Sequence, residues 1–303
     1  MSPNAPQRVS WLRSAQAFRL MVLLPTVGLI VLVLAKSLYV VLNLSLQKVS
    51  TFALDKGAFV GISNWLTLLD DDRFGPVVLH SLVWIAGSVS MITVFGVVVG
   101  IFLGRDTALV RFTRAFLLVP WVLPGVVAAA TWKWLLQSQT GVINSMLISS
   151  GAMEDIIPWL GSPKTAMYVI VAAMTWRLFP LFALVVSAAC RSVDASLYEA
   201  ADMDGATAWQ KIRYIQLPAI LPQIVTMSLL VTIWAANNLV FVQVMTNGGP
   251  FGATEILPTL LFTLAFQAND MGMSATVTLV NATILLLIAL AYFKVQRLSE
   301  ANR

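Results

Sequence analysis

The chain has 303 residues, 58% hydrophobic and only 11% charged, with a net charge of +5. Soluble domains are about 45–50% apolar and about 25% charged, so this composition excludes a water-soluble globule and requires lipid as solvent. The basic residues lie in short clusters between apolar runs, which excludes a nucleic-acid-binding face. A single cysteine, Cys190, excludes an internal disulfide, and a single histidine, His80, excludes any site needing two.

Residues 1–19 read as a tail carrying Arg8, Arg13 and Arg19, with Met1–Gln16 expected to be mobile. The first apolar run, Leu20–Leu46, exceeds the signal-peptide core of about 7–15 residues and is read as a retained helix. An outer loop follows to residue 76. A core unit, 77–293, then holds expected spans at Val77–Leu103, Ala115–Trp132, Thr165–Cys190, Leu217–Val244 and Ser274–Phe293, and 294–303 form a second tail. Runs of about 18–28 residues, at about 1.5 Å each, cross a hydrocarbon core of about 30 Å. The expected fold class is an all-α integral membrane protein with six transmembrane helices. Strands are excluded because the runs are apolar on both alternating faces.

The two tails and the loops 104–114 and 191–216 each carry three Lys/Arg, against five on all the opposite loops together. That bias places both termini in the cytoplasm. Trp65, Trp84, Trp132, Trp134 and Trp159 fall at or beyond the expected outer boundary. Gly96, Gly100 and Gly104 continue a stripe from Ser88 and Ile92 at every fourth position, which lets another helix of the bundle approach closely.

Lys36 and Arg177 are the charges within the expected spans. Arg177, next to Trp176, faces a cavity or a partner, because a charge among lipid tails is costly. Trp234, Asn237, Asn238 and Gln243 combine an aromatic face with amide groups, which suits a polyhydroxylated solute; the same amides can instead bond neighbouring helices. Asp70–Asp72 read as a solvated loop and helix cap rather than a calcium site. His80 is expected at an interface, and Cys190 as a small apolar filler. No carboxylate lies within a span, which disfavours an ion-gradient secondary transporter, the rival reading. No catalytic or metal-binding set is found, so an enzyme is not expected.

The loop Asp194–Pro218 holds two helix-start signatures, Ser196 with Glu199 and Thr207 with Gln210. Gly205 lies between them, where a helix commonly ends in a left-handed residue. Two short helices meeting at a bend are therefore expected, with Pro218 closing or kinking the second. Ala200 and Ala201 form a flat patch flanked by Leu197, Trp209, Ile212 and Ile215. Such a patch suits either docking into a cleft on a soluble partner or lying on the membrane surface.

Glu199-Ala200-Ala201, three residues, Asp204-preceded Gly205, nine residues, Ile215, and Leu217-Pro218 together resemble the EAA motif of ABC importer permeases. The outer Thr246-Asn-Gly-Gly-Pro250 with Thr254-Glu255, the Gly272-Met-Ser-Ala275 segment, and Trp176 with Pro180 resemble the carbohydrate class of that family, maltose- and glycerol-3-phosphate-type. The resemblance implies a type I importer permease in a bacterial inner membrane, with 194–218 as coupling loop. Glu199, Ala200, Ala201, Asp204, Gly205, Ile215, Leu217 and Pro218 would then contact an ATPase. It further implies a second permease as heterodimer partner, two ATP-binding subunits and an extracytoplasmic solute-binding protein. The chain has no G-x-x-x-x-G-K-[ST] loop, so ATP and Mg belong to the partner subunits.

Overall fold

The computed structural model describes residues 8–104 and 107–301; the expectation of mobility at residues 1–7 lies outside the described residues. Helix α1 (Arg8–Ser45) includes residues 8–16, assigned above to the tail. Within its apolar stretch Leu23–Ser45, every residue from 23 to 40 is exposed in the isolated chain, so the leucines and valines there face lipid or another subunit. The connection to the next span is built rather than loose. Strands β1 (Gln47–Lys48) and β2 (Ala58–Phe59) pair antiparallel, Gln47 opposite Phe59. Asn64, on the short helix α2 (Ser63–Leu69), donates through Nδ2 to the carbonyls of Ser45 and Gln47, both at 2.9 Å.

Helix α3 (Phe74–Phe102) follows, then α4 (Ala108–Leu117), α5 (Val119–Val122), α6 (Gly125–Leu135) and α7 (Val142–Ser149). The next long helix is α8 (Ala166–Arg191), followed by α9 (Ala195–Met203) and α10 (Ala208–Lys211). A π turn at Ile212–Gln216 leads into α11 (Leu217–Ala236), and α12 (Val240–Met245) restarts the chain. The remainder is α13 (Leu257–Phe262), a π turn at Thr263–Gln267, and α14 (Met271–Ala301).

The core is the seam between α3 and α8. On α8, Ile170, Met174, Leu178, Phe182 and Val186 are buried at every fourth position, and on α3 Ser81, Ile85, Ser88, Ile92, Gly96 and Gly100 form the facing row. Rows of this spacing pack into each other's grooves. The glycine stripe is thus used for packing inside the bundle. A Cβ on Gly96 would lie 2.5 Å from Phe182, and one on Gly100 2.7 Å from the Ala183 carbonyl. Where lipid surrounds a bundle, dispersion at such close approach replaces the hydrophobic drive between helices. Cys190 fills the end of the seam, its Cβ 3.0 Å from the position a Gly104 Cβ would take.

Two expected spans are corrected. The third, Ala115–Trp132, is not straight: Val110–Val122 and Gly125–Leu135 meet at 91°. Pro124 is the cause. It has no N–H to donate and disfavours the helical conformation in the residue before it, and Leu123 is extended at φ −61°, ψ 134°. The fifth, Leu217–Val244, stops at Ala236. Asn237 and Asn238 offer the backbone side-chain partners that compete with the helix: Asn237 Nδ2 donates to Ile233 O at 2.9 Å, and Asn238 Oδ1 accepts from the Phe241 N–H at 3.1 Å. Among the described residues there are therefore five continuous apolar helices long enough to cross a membrane, plus one bent pair.

Candidate coupling surface and path

The segment between α8 and α11 starts from a different cap than the sequence signals. Ser196 does not cap α9. Asp194 does, its carboxylate accepting from the Ser196 N–H at 3.0 Å, because it sits one position before the first helical residue in extended conformation. That bond favours the charged form and holds the Asp194 carboxyl below its usual range. The second signature is realised in full. Thr207 Oγ1 accepts from Gln210 N at 3.3 Å while Gln210 Oε1 accepts from Thr207 N at 2.7 Å.

Between the two caps, α9 ends in a complete Schellman motif. Ala206 N–H donates to Ala201 O at 2.9 Å and Gly205 N–H to Asp202 O at 3.1 Å, with Gly205 at φ +72°. Open space surrounds the position of a Gly205 Cβ, so the demand for glycine comes from the backbone angle alone. Lys211 forms an ion pair with Asp202 across the bend. An exposed pair is worth about 0–1 kcal/mol, so the glycine and the caps, not the pair, set the angle.

None of the residues of α9, α10 or the π turn is buried. Glu199, Ala200, Asp204, Gly205 and Pro218 are exposed; Ala201, Ile215 and Leu217 are half-buried. Around the alanine patch, Leu197 (49%), Met203 (89%) and Trp209 (65%) hold their apolar surface open to solvent. Behind the patch a cavity of about 640 Å³ separates the two helices from the bundle, lined by Phe102, Gly104, Cys190, Tyr198, Trp209 and Gln216. The firm link inward is along the chain: Ala208–Ala236 runs as one apolar helical course through the π turn and Pro218. Trp84 is 1% exposed and donates through Nε1 to the Ala235 carbonyl at 2.8 Å, tying α3 to the far end of that course. Nothing in the local sequence around Trp84 signals that bond.

The path candidates divide. Trp234 and Asn237 lie on the open side of α11 and Gln243 is half-buried on α12, its amide bonded to Asn247. Asn238 points inward, its amide 3.8 Å from the Met174 sulfur. Asn238→Ala is expected to weaken the start of α12 by about 1 kcal/mol through loss of the acceptor for the Phe241 N–H, while Asn238→Asp keeps that acceptor; uptake rate and thermal unfolding of the two variants check this. Trp176 packs edge-on against Trp132, ring centroids 5.6 Å apart. Arg177 Nε donates to the Leu123 carbonyl at 3.3 Å.

The turn from Thr246 to Glu255 is ordered by its own groups. Asn247, Gly248 and Gly252 all have positive φ, and the buried Thr254 hydroxyl bonds the Gly249 carbonyl at 2.6 Å. Below the turn, Glu255 is half-buried and burial pushes its carboxyl up, opposed by Arg73. Arg73 itself forks onto Asp71, at 3.1 Å and 2.8 Å, and thereby lowers that carboxyl. Because the folded Glu255 holds its proton more tightly than the unfolded chain does, stability falls as pH rises from the ordinary glutamate range through its folded value. Glu255→Gln is expected to flatten that fall; melting temperature against pH for both proteins checks it.

The family profile described as "Binding-protein-dependent transport system inner membrane component" matches residues 92–302. The chain belongs to that family. It is thus an inner-membrane permease subunit of an ABC transporter. The trehalose/maltose transport system permease protein MalF of Thermococcus litoralis is 30% identical over 84% of this chain and 85% of that protein. The diacetylchitobiose uptake system permease protein NgcF of Streptomyces coelicolor is 31% identical over 80% of this chain and 71% of that protein. The inner membrane ABC transporter permease protein YcjO of Escherichia coli is 29% identical over 92% and 94%. Among solved structures, a chain of the bacterial alginate ABC transporter, in complex with an alginate-bound periplasmic protein, superposes with a TM-score of 0.76 at 21% identity, over 94% of this chain and 96% of that one. That likeness establishes the permease fold.

Proposed function

We propose that the chain is one of two permeases in a binding-protein-dependent importer of a sugar or sugar derivative. The observation that carries this reading is the exposed two-helix bend at Gly205, fixed by a Schellman motif and a capping box and continuous with α11. A rigid bend with open apolar anchors is what a lever needs. Glu199, Ala200, Ala201, Asp204, Gly205, Ile215, Leu217 and Pro218 meet a groove on an ATP-binding subunit. Two such subunits bind ATP and Mg and hydrolyse the nucleotide; this chain supplies no part of that site. ATP drives transport only through its unequal interaction with the inward- and outward-open states, so the bend must transmit which state the ATPases occupy.

In this reading the bent α4–α6 pair counts as one of six spans, both termini lie in the cytoplasm, and the coupling bend shares their side, in keeping with the Lys/Arg bias. A second, similar permease covers the open faces of α1 and α11, and an extracytoplasmic solute-binding protein delivers the sugar to the ordered outer turn. Relatives named for trehalose/maltose and diacetylchitobiose uptake support the sugar class. Trp234, Asn237 and Gln243 offer the stacking face and amides that hydroxyl groups need. Arg177, Trp176 and Asn238 support the path from behind. The complex of this chain with its companion permease, ATPases and receptor, reconstituted in liposomes, tests the proposal. ATP-dependent uptake of a labelled saccharide that requires the receptor is expected; uptake that follows a proton or sodium gradient without ATP would overturn it.

A further inference from the structure

The two interrupted spans do not lie apart. The break between α5 and α6, at Leu123–Pro124, and the break between α11 and α12, at Asn237–Leu239, both come against a single turn of α8, Met174–Arg177. Arg177 bonds the Leu123 carbonyl at 3.3 Å; Asn238 reaches Met174; and the position of a Gly125 Cβ lies 4.0 Å from Arg177 Cζ and 3.7 Å from Val240 Cγ1, the first residue of α12. Leu123 is extended, so no helical N–H reaches its carbonyl, and a span's interior holds little water to replace one. Arg177 fills that role. Among the described residues it has no carboxylate partner, since the ion pairs there are Arg73–Asp71 and Lys211–Asp202.

The geometry points to Arg177 as a positioning residue: a clasp that holds the 91° bend by bonding the freed Leu123 carbonyl, and so keeps α6 seated on α12, just past the end of the Ala208–Ala236 course. It acts on transport through α6 rather than by touching the solute. The inference rests on the permease reading for its transport readout only; its geometric readout stands alone.

Spin labels at Phe116→Cys and Trp134→Cys, both exposed and on opposite arms of the bend, report the angle in a Cys190→Ala background of the full complex in lipid nanodiscs. A narrow distance distribution is expected with Arg177, retained in Arg177→Lys, which still donates to a carbonyl, and broadened or lengthened in Arg177→Met. In proteoliposomes Arg177→Met should lower the maximal uptake rate by about tenfold or more, the loaded-receptor concentration at half-maximal rate staying unchanged, with Arg177→Lys restoring most of the rate. An unchanged distance in Arg177→Met would overturn the clasp. So would a rise in the half-saturating concentration at constant maximal rate, which marks a solute contact. If Arg177→Met fails to assemble, Arg177→Lys decides: a wild-type distance and rate support the clasp, and loss of either overturns it.

Discussion

Gly205→Val is expected to reduce ATP-driven uptake by about tenfold or more while leaving insertion and the span packing intact. The residue adopts φ +72° in open space, so valine meets no neighbour; the penalty is conformational. A left-handed residue with a Cβ costs about 1–2 kcal/mol, and β-branching adds to it. Since about 1.4 kcal/mol is tenfold in a population ratio, the Schellman geometry loses about tenfold or more against its alternatives, and α9 meets α10 less often at the angle set by Thr207 and Gln210. A graded series follows: Gly205→Asn, the other residue tolerated there, should retain more activity than Gly205→Ala, and alanine more than valine. Uptake and substrate-stimulated ATP hydrolysis by the assembled complex check the order. Normal coupling in the valine variant would remove the bend's angle from the mechanism.

Gly100→Leu should act at the opposite extreme, on the bundle itself. Its Cβ alone would lie 2.6 Å from Val186 Cβ and 2.7 Å from the Ala183 carbonyl, and a backbone atom cannot turn aside as a side chain can. Helix α8 must shift away from α3, opening a close contact in the core. Overpacking a close-fitted core costs about 1–3 kcal/mol and more where backbone must move, so the expected result is poor accumulation in the membrane and a lowered melting temperature in detergent. Gly75→Ala, on the same helix but in open space, serves as the control and should be neutral or slightly stabilising.

The features legible in the sequence share one property: each is decided within a few residues. The Gly96–Gly100–Gly104 stripe, the Thr207–Gln210 box and the left-handed Gly205 all follow from local spacing, and each stands where the spacing puts it. What hydropathy conceals is direction. A window average over Ala115–Trp132 stays apolar through Pro124 although the chain there turns by 91°, and Asn237–Asn238 are too short a polar interruption to end an apolar run. Pro124 and the asparagine pair were visible signals for both breaks. Asp194 as the cap of α9 was likewise available, since aspartate caps at least as well as serine. The Trp84–Ala235 and Arg177–Leu123 bonds join residues far apart in the chain, and no local pattern carries them. The short helices α2, α7 and α13 are each below membrane-spanning length, so apolar-run length alone does not mark them.

The most direct measurement of the coupling account is a photo-crosslinker placed at Met203, which is 89% exposed beside the alanine patch, in a complex shown to import its solute. The account predicts an adduct with an ATP-binding subunit whose yield changes between the nucleotide-free and ATP-bound states. A complex that transports at full rate yet yields adducts to lipid alone would contradict it.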